Sequence, residues 1–238
     1  MPAELDYLFL AAHPDDAELY CGGLILKMRQ RGYRVGIVDC TRGEAGTHGS
    51  AAERAAETAA ANAILQPAVR ENLGLPDGRL TDDQPTRAAL VAVLRRLRPH
   101  VLVAPLGPCR HPDHTALWQL ARAAHFLAGV GGFAGELPPW RPLRLLCHPE
   151  YAEATPSFIV DISAQYADRA RAVAAYRSQF YVPGAAAKTT VVGSRAFHER
   201  LLARHRLCGA QIGVEYGEPY VVEEPPRIDD PLRSAREG

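Results

Sequence analysis

No Cys-x-x-Cys pair occurs in this chain, and its five cysteines, at 21, 40, 109, 147 and 208, are odd in number. The spacing excludes a cysteine-rich zinc knot, and the odd count argues against a disulfide framework, so reduced thiols are expected. Net charge is also lacking, because 27 Lys and Arg balance 27 Asp and Glu. That balance argues against nucleic acid or an anionic membrane surface as the main partner. No apolar run approaches the roughly eighteen residues that span a bilayer. The first six residues carry no basic region and no cleavage site after an apolar stretch, so the expected location is cytoplasmic. No repeat and no clean linker appears, which makes one domain over 1–238 the simplest organisation. The Pro-rich, charged tail from about 223 is expected to wrap the surface or fray. A Gly-rich G-x-G-x-x-G loop is missing after the first apolar run. The turn there is His13-Pro14-Asp15-Asp16, whose carboxylates would repel a pyrophosphate, so a dinucleotide-binding role is unsupported.

What is present is apolar content of 47% in 238 residues, enough for a sizeable core. Short apolar runs at 7–12, 34–40, 69–73, 101–104, 144–148 and 158–162 read as strands. Helical patterns at 17–31, 50–65, 81–98, 115–126, 165–180 and 195–209 alternate with them. Two helix starts match a capping box, Ser50 with Glu53 and Thr81 with Gln84. Gly32 and Pro99 supply stops. Strands alternating with helices imply an α/β fold, a Rossmann-like three-layer αβα sandwich around a mainly parallel sheet. Ligands in such folds bind beyond the carboxyl ends of the strands.

Two His-Pro-Asp segments fall at such ends: Ala12-His13-Pro14-Asp15-Asp16-Ala17-Glu18 and Arg110-His111-Pro112-Asp113-His114. Either one alone has a plain explanation. Asp is a good N-cap and Pro a good first helical residue, and two histidines in a loop can simply be solvated. Together they offer enough ligands for a hydrolytic metal centre. Asp15 and Asp16 are adjacent, so their side chains diverge, one toward a metal and the other toward substrate. His111 and His114 are spaced i, i+3 and share a helix face. Asp113 is placed to orient an imidazole by accepting its ring N–H. The best partition takes His13, Asp16 and His114 as three ligands with a water in the fourth position, a catalytic zinc pattern. Ferrous iron suits the same donors.

AHPDDAE followed downstream by HPDH resembles the LmbE/PIG-L-like metal-dependent N-deacetylases. The likeness continues through LPDGRL (75–80), FIVDIS (158–163), YRSQF (176–180) and IGVEYGEPY (212–220). The set is most similar to the bacillithiol-pathway branch, which deacetylates N-acetylglucosaminyl malate. The resemblance implies His13, Asp16 and His114 as zinc ligands and Asp15 as general base. It implies His111 as the oxyanion-stabilising histidine and Asp113 as the carboxylate that orients it. Arg54 and Arg110 resemble the arginines that grip the anionic aglycone. The partner implied is a small amino-sugar conjugate, and the assembly a homo-oligomer.

One departure stands out. Phe197 falls where some relatives carry a tyrosine, so no hydroxyl role carries over there. Tyr20, His148, Tyr151 and Tyr181 are candidates to compensate, though each reads more simply as surface or packing. Cys21 and Cys109 read as small packing groups beside the motifs, and Gly22 and Gly23 as points of close approach. The same chemistry on a chitooligosaccharide, an antibiotic precursor or a thiol-sugar conjugate is the leading alternative. A non-catalytic sugar- or metal-binding module would keep the ligands without needing Asp15.

Overall fold

The computed structural model describes residues 4–133, 135–150, 154–185, 188–225 and 227. The first five strands are β1 (Tyr7–Ala11), β2 (Val35–Thr41), β3 (Val69–Leu75), β4 (Val101–Pro105) and β5 (Arg144–His148). All pair in parallel, in the spatial order β3-β2-β1-β4-β5. Between and after them run the helices α1 (Asp16–Gln30), α2 (Ala51–Leu65), α3 (Gln84–Leu97) and α4 (Pro112–Leu127).

Alternation along the central strands produces the three layers. In β1, Leu8 and Leu10 point to one face, where they meet Leu90, Val91 and Leu94 of α3 and Leu117, Leu120 and Ala121 of α4. Phe9 and Ala11 point to the other face, against Cys21, Leu24, Ile25 and Met28 of α1. Burial on both faces is why these strands read as unbroken apolar runs. Each fully buried Leu or Ile contributes about 1.5–3 kcal/mol.

The helix ends follow local chemistry. Ser50 and Glu53 form the expected capping box on α2, with Ser50 Oγ accepting from Glu53 N and Glu53 Oε2 accepting from Ser50 N. The cap of α3 differs from expectation. Asp83, not Thr81, accepts from Thr86 N, and Thr81 Oγ1 instead donates to Asp83 at 2.8 Å. A carboxylate is the stronger acceptor, so it takes the free N–H.

The C-terminal third departs most from the sequence expectation. β6 (Phe158–Asp161) forms as anticipated, but α5 (Tyr166–Ala174) stops well short of 180. After α6 (Arg195–Gln211) comes an unanticipated strand, β7 (Gly217–Val222). It inserts between β5 and β6 and is antiparallel to both, which completes a seven-stranded sheet among the described residues. The two glycines Gly22 and Gly23 face different neighbours: a Cβ on Gly22 would lie 2.8 Å from Arg169 Cγ, while buried Glu218 of β7 approaches Gly23. Its carboxylate accepts from Gly23 N at 2.7 Å and Leu24 N at 2.8 Å. A Cβ on Gly23 would lie 2.6 Å from Ile162 Cγ2. Of the expected surface-wrapping tail, Glu223 pairs with Arg122 at 2.7 Å, and 228–238 lie outside the described residues.

The chain leaves β1 toward β2 and β3, then crosses back to place β4 on the other side of β1. This topological switch opens a crevice beyond the ends of β1 and β4. The two His-Pro-Asp segments occupy the turns that leave those two strands.

Candidate active site

Asp15 is the N-cap of α1 and adopts φ 124°, a left-handed conformation that is strained for a residue with a side chain. Holding it there costs about 1–3 kcal/mol, and the strained turn places Asp15 and the ligand-type residues His13 and Asp16 around one cavity. Across the crevice, His111 is the N-cap of α4 and His114 lies in that helix's first turn.

The two turns bring three donor atoms together. His13 Nδ1 lies 3.2 Å from His114 Nε2 and 3.4 Å from Asp16 Oδ2, and the last two are 3.3 Å apart. Tetrahedral zinc with bonds of 2.0–2.1 Å needs ligand atoms separated by about 3.3 Å. The triangle therefore matches one face of a zinc tetrahedron, and the donor set of two imidazoles and a carboxylate fits the ion. A ring nitrogen of His111 also lies within 4.8 Å of those of His13 and His114.

Electrostatics agree with a cation-binding nest. Burial works against protonation of His13, yet hydrogen bonds to Asp113, Asp16 and Asp77 hold its pKa well above the usual imidazole value. Burial also opposes ionisation of Asp16, but His114 and His13 hold its carboxyl well below the usual carboxylate range. Such an excess of negative charge around two imidazoles is what a divalent ion neutralises.

The contacts around His13 correct one expected partnership. The resemblance pairs Asp113 with His111; in the structure its Oδ2 lies 3.1 Å from His13 Nε2 instead and also accepts from Gly78 N at 2.8 Å. Its Oδ1 accepts from Leu80 N at 3.1 Å. The reason is helical geometry. His111 precedes the first turn of α4, and its Nδ1 already accepts Asp113 N at 3.2 Å, which leaves the carboxylate to face β1. That bond also sets the His111 tautomer, because a neutral ring accepting at Nδ1 carries its proton on Nε2. Burial, His13 and His114 lower the His111 pKa and so favour the neutral ring.

Arg54 also sits differently from expectation. The resemblance makes it an aglycone clamp, but it is only 4% exposed. Its Nη2 lies 3.1 Å from Asp15 Oδ2 and donates to the Pro14 carbonyl. Burial pushes the Asp15 carboxyl up to about 7, and the Arg54 guanidinium works against that rise. Arg110 is exposed and lines the cavity, as does Arg54.

Sequence reasoning misses two further site residues. Asp77 reads only as part of a turn, yet its Oδ1 lies 3.0 Å from His13 Nε2 while Oδ2 accepts from Ala45 N. Burial opposes its ionisation, but His13 and that backbone bond bring it down to about 2. The Pro-Asp-Gly turn is the available signal, since a turn at a strand exit in this fold faces the ligand side. Glu150 contacts His114 Nδ1, and it also takes the thiol of Cys109 at 2.6 Å, so Cys109 is more than a packing group. Nothing in the local sequence around 150 signals this.

The cavity over the triangle measures about 540 Å³ and carries Leu19, Tyr20, Phe180, Val191, Val192 and Phe197 on its apolar side. Phe197 packs there with Leu19 and Phe180. Tyr20 stacks on His148, centroids 5.2 Å apart, Tyr181 tilts against His198, and Tyr151 lies outside the described residues. Behind the site, Arg70 bonds buried Glu18 at 2.5 Å and Asp39 at 2.9 Å, with Tyr176 Oη 3.2 Å from Arg70. That network ties α1 to β2, β3 and the segment after α5. Among the described residues, no helix is long and apolar enough to cross a membrane.

The family model described as PIG-L, GlcNAc-PI de-N-acetylase, matches residues 8–125. The crystal structure of the conserved protein TT1542 from Thermus thermophilus is 43% identical. It superposes with a TM-score of 0.86 over 94% of this chain and 97% of that one. The N,N'-diacetylchitobiose deacetylase of Pyrococcus horikoshii is 26% identical, with a TM-score of 0.79 over 91% of this chain and 82% of that one. The 1D-myo-inositol 2-acetamido-2-deoxy-alpha-D-glucopyranoside deacetylase of Rhodococcus opacus is 31% identical over 60% of this chain. That match spans 61% of the Rhodococcus protein, so the chain corresponds to about three fifths of the length of such curated relatives.

Proposed function

Because this chain belongs to the PIG-L family, we propose that it is a zinc-dependent hydrolase that removes the N-acetyl group from an N-acetylglucosamine conjugate. The observation that carries this reading is the triangle of His13 Nδ1, Asp16 Oδ2 and His114 Nε2, with the Asp15 carboxylate on the adjacent residue. A zinc ion held by these three residues would polarise the acyl group and acidify a water.

The remaining roles fall to the chain itself. Asp15 takes a proton from the attacking water and returns it to the departing amine, so amide plus water gives free amine and acetic acid, which at neutral pH are ammonium and acetate. Arg54 favours the ionised form of Asp15 that this needs. His111, with its proton on Nε2, donates to the acyl oxygen as negative charge builds there. Asp113 and Asp77 hold the His13 ring by its far nitrogen, which fixes Nδ1 as the ligand atom.

For the aglycone we retain an anionic group of the malate type. Arg110 supports this, as an exposed guanidinium on the cavity directly before His111. The Rhodococcus and Pyrococcus relatives are named for neutral sugars, an inositol glycoside and a chitobiose, and these are the competing substrates. The test is acetate release by the zinc-loaded protein from N-acetylglucosaminyl malate, the acetamido-glucosyl inositol, diacetylchitobiose and N-acetylglucosamine. The malate conjugate should be turned over best, and Arg110→Ala should lower kcat/KM for it by about 10–100-fold, the loss of one charge-assisted contact. Equal loss on unsubstituted N-acetylglucosamine would show that Arg110 does not read the aglycone.

A further inference from the structure

The loop after β5 carries a buried carboxylate that the proposed chemistry leaves without a role. The Glu150 side chain is 4% exposed. One oxygen contacts His114 Nδ1, the ring nitrogen facing away from the three-atom triangle. The other accepts the S–H of Cys109 at 2.6 Å. The backbone around it is held as firmly. Arg204 of α6 donates to the carbonyl of Glu150 at 3.1 Å and to that of Pro149. Cys109 is tied to α4 through Thr115, whose Oγ1 accepts from Cys109 N at 2.9 Å and donates to Cys109 O at 3.1 Å. Three separate parts of the chain, the β4–α4 loop, α4 and α6, thus converge to aim one carboxylate.

The target of that aim is a ring with two equivalent ways to bind. A neutral imidazole can present either nitrogen to a metal, and rotation about its χ2 angle exchanges them. A carboxylate that takes the Nδ1 proton leaves the lone pair on Nε2 alone, and it raises the basicity of that nitrogen. His13 is treated the same way from the opposite side, since Asp113 and Asp77 both face its Nε2. Both imidazoles of the triangle are therefore backed by carboxylates on their outer nitrogens.

We propose that Glu150 is the positioning residue for His114: it fixes the tautomer and ring orientation that present Nε2 to a zinc ion, with Cys109 and Arg204 holding it in place. This rests on the reading of His114 as a ligand. Glu150 lines both the substrate cavity and a second cavity of about 260 Å³, bounded by Gly107, Pro108, Cys109 and Pro149.

The test compares zinc affinity, by competition with a chromogenic chelator, for full-length wild type, Glu150→Met and Glu150→Gln. Met keeps volume and removes the acceptor; Gln keeps a carbonyl acceptor and removes the charge. Glu150→Met should bind zinc about 10–100-fold more weakly, with Glu150→Gln in between. In zinc-saturated enzyme, kcat should fall while KM for substrate stays within about twofold. A folded Glu150→Met protein with zinc affinity within twofold of wild type overturns the proposal. Should Glu150→Met fail to fold, Glu150→Gln decides, with at least threefold weaker zinc expected and unchanged affinity overturning it. Wild type that binds no zinc would sink the reading of the whole site. Wild type that binds zinc, with variants that bind it equally well, sinks only the role of Glu150.

Discussion

Replacing Arg54 with Ala separates what the sequence suggested from what the structure shows. Arg54 Nη2 lies 3.1 Å from Asp15 Oδ2, and both residues are buried. At an effective dielectric constant of 20, that separation is an attraction of about 5 kcal/mol. Desolvation of the guanidinium and relaxation of the turn reduce the net effect to about 1–3 pKa units, the range seen for carboxylates beside an arginine. The sign is unambiguous. Loss of a neighbouring cation raises the pKa of a carboxyl that burial already pushes up to about 7. A general base must be ionised to act, so the acid limb of kcat/KM should move to higher pH by about 1–3 units. A bound zinc lowers the limb in both proteins and leaves the difference between them. Below both limbs, the variant should turn over about 10–1,000-fold more slowly. The assay is acetate release by zinc-saturated enzyme from pH 5 to 10, with Arg54→Lys as a control that keeps the charge and shifts the limb less. A raised KM with an unmoved limb would refute the reasoning and restore Arg54 as a clamp on the substrate.

Other perturbations address the rest of the molecule. Asp15→Asn should retain zinc while turnover falls by at least about 100-fold, whereas His114→Ala should lose zinc itself; metal analysis after dialysis distinguishes them. His111→Ala should lose turnover and keep its metal, and if it strips the metal instead, the ligand partition is wrong. His148 is 3% exposed, and burial pushes its pKa down to about 4. The unfolded chain takes up a proton there below pH 6.5 that the folded protein refuses, so its contribution to stability is full above 6.5 and fades toward pH 4. Between pH 7.5 and 5 that loss is about 2 kcal/mol, and urea midpoints should fall less over this range in His148→Phe, which keeps the stack on Tyr20. Gly23→Ala places a methyl 2.6 Å from Ile162 and 2.8 Å from Glu218 Oε1, and should cost about 1–3 kcal/mol, read as a lower thermal midpoint.

The central sheet is legible because its strands are buried on both faces, which leaves unbroken apolar runs such as 7–11 and 101–105. β7 escapes notice for the opposite reason. Its Gly217, Glu218 and Pro219 break the apolar pattern, and the donors that let Glu218 be buried include Gly23 N and Leu24 N from the far end of the chain, beside Tyr220 Oη. The sequence pattern makes helix α5 too long because Tyr176 and Phe180 continue its apolar spacing. In the folded protein Tyr176 turns toward Glu18 and Arg70, and Gln179 donates to the His48 carbonyl. Long-range polar contacts override helical periodicity at that point.

The sequence by itself determined the layered α/β plan and the two turns that carry His13, Asp15, Asp16, His111 and His114, because strand burial and helix capping are local in pattern. Which carboxylate faces which imidazole was decided only by tertiary structure. Asp113 turns to His13, Asp77 joins it from another loop, Arg54 closes on Asp15, and Glu150 backs His114. Each of these contacts joins residues at least 36 positions apart. A side chain's choice of partner across such a gap is set by the crossing of strands and helices, which no local pattern encodes.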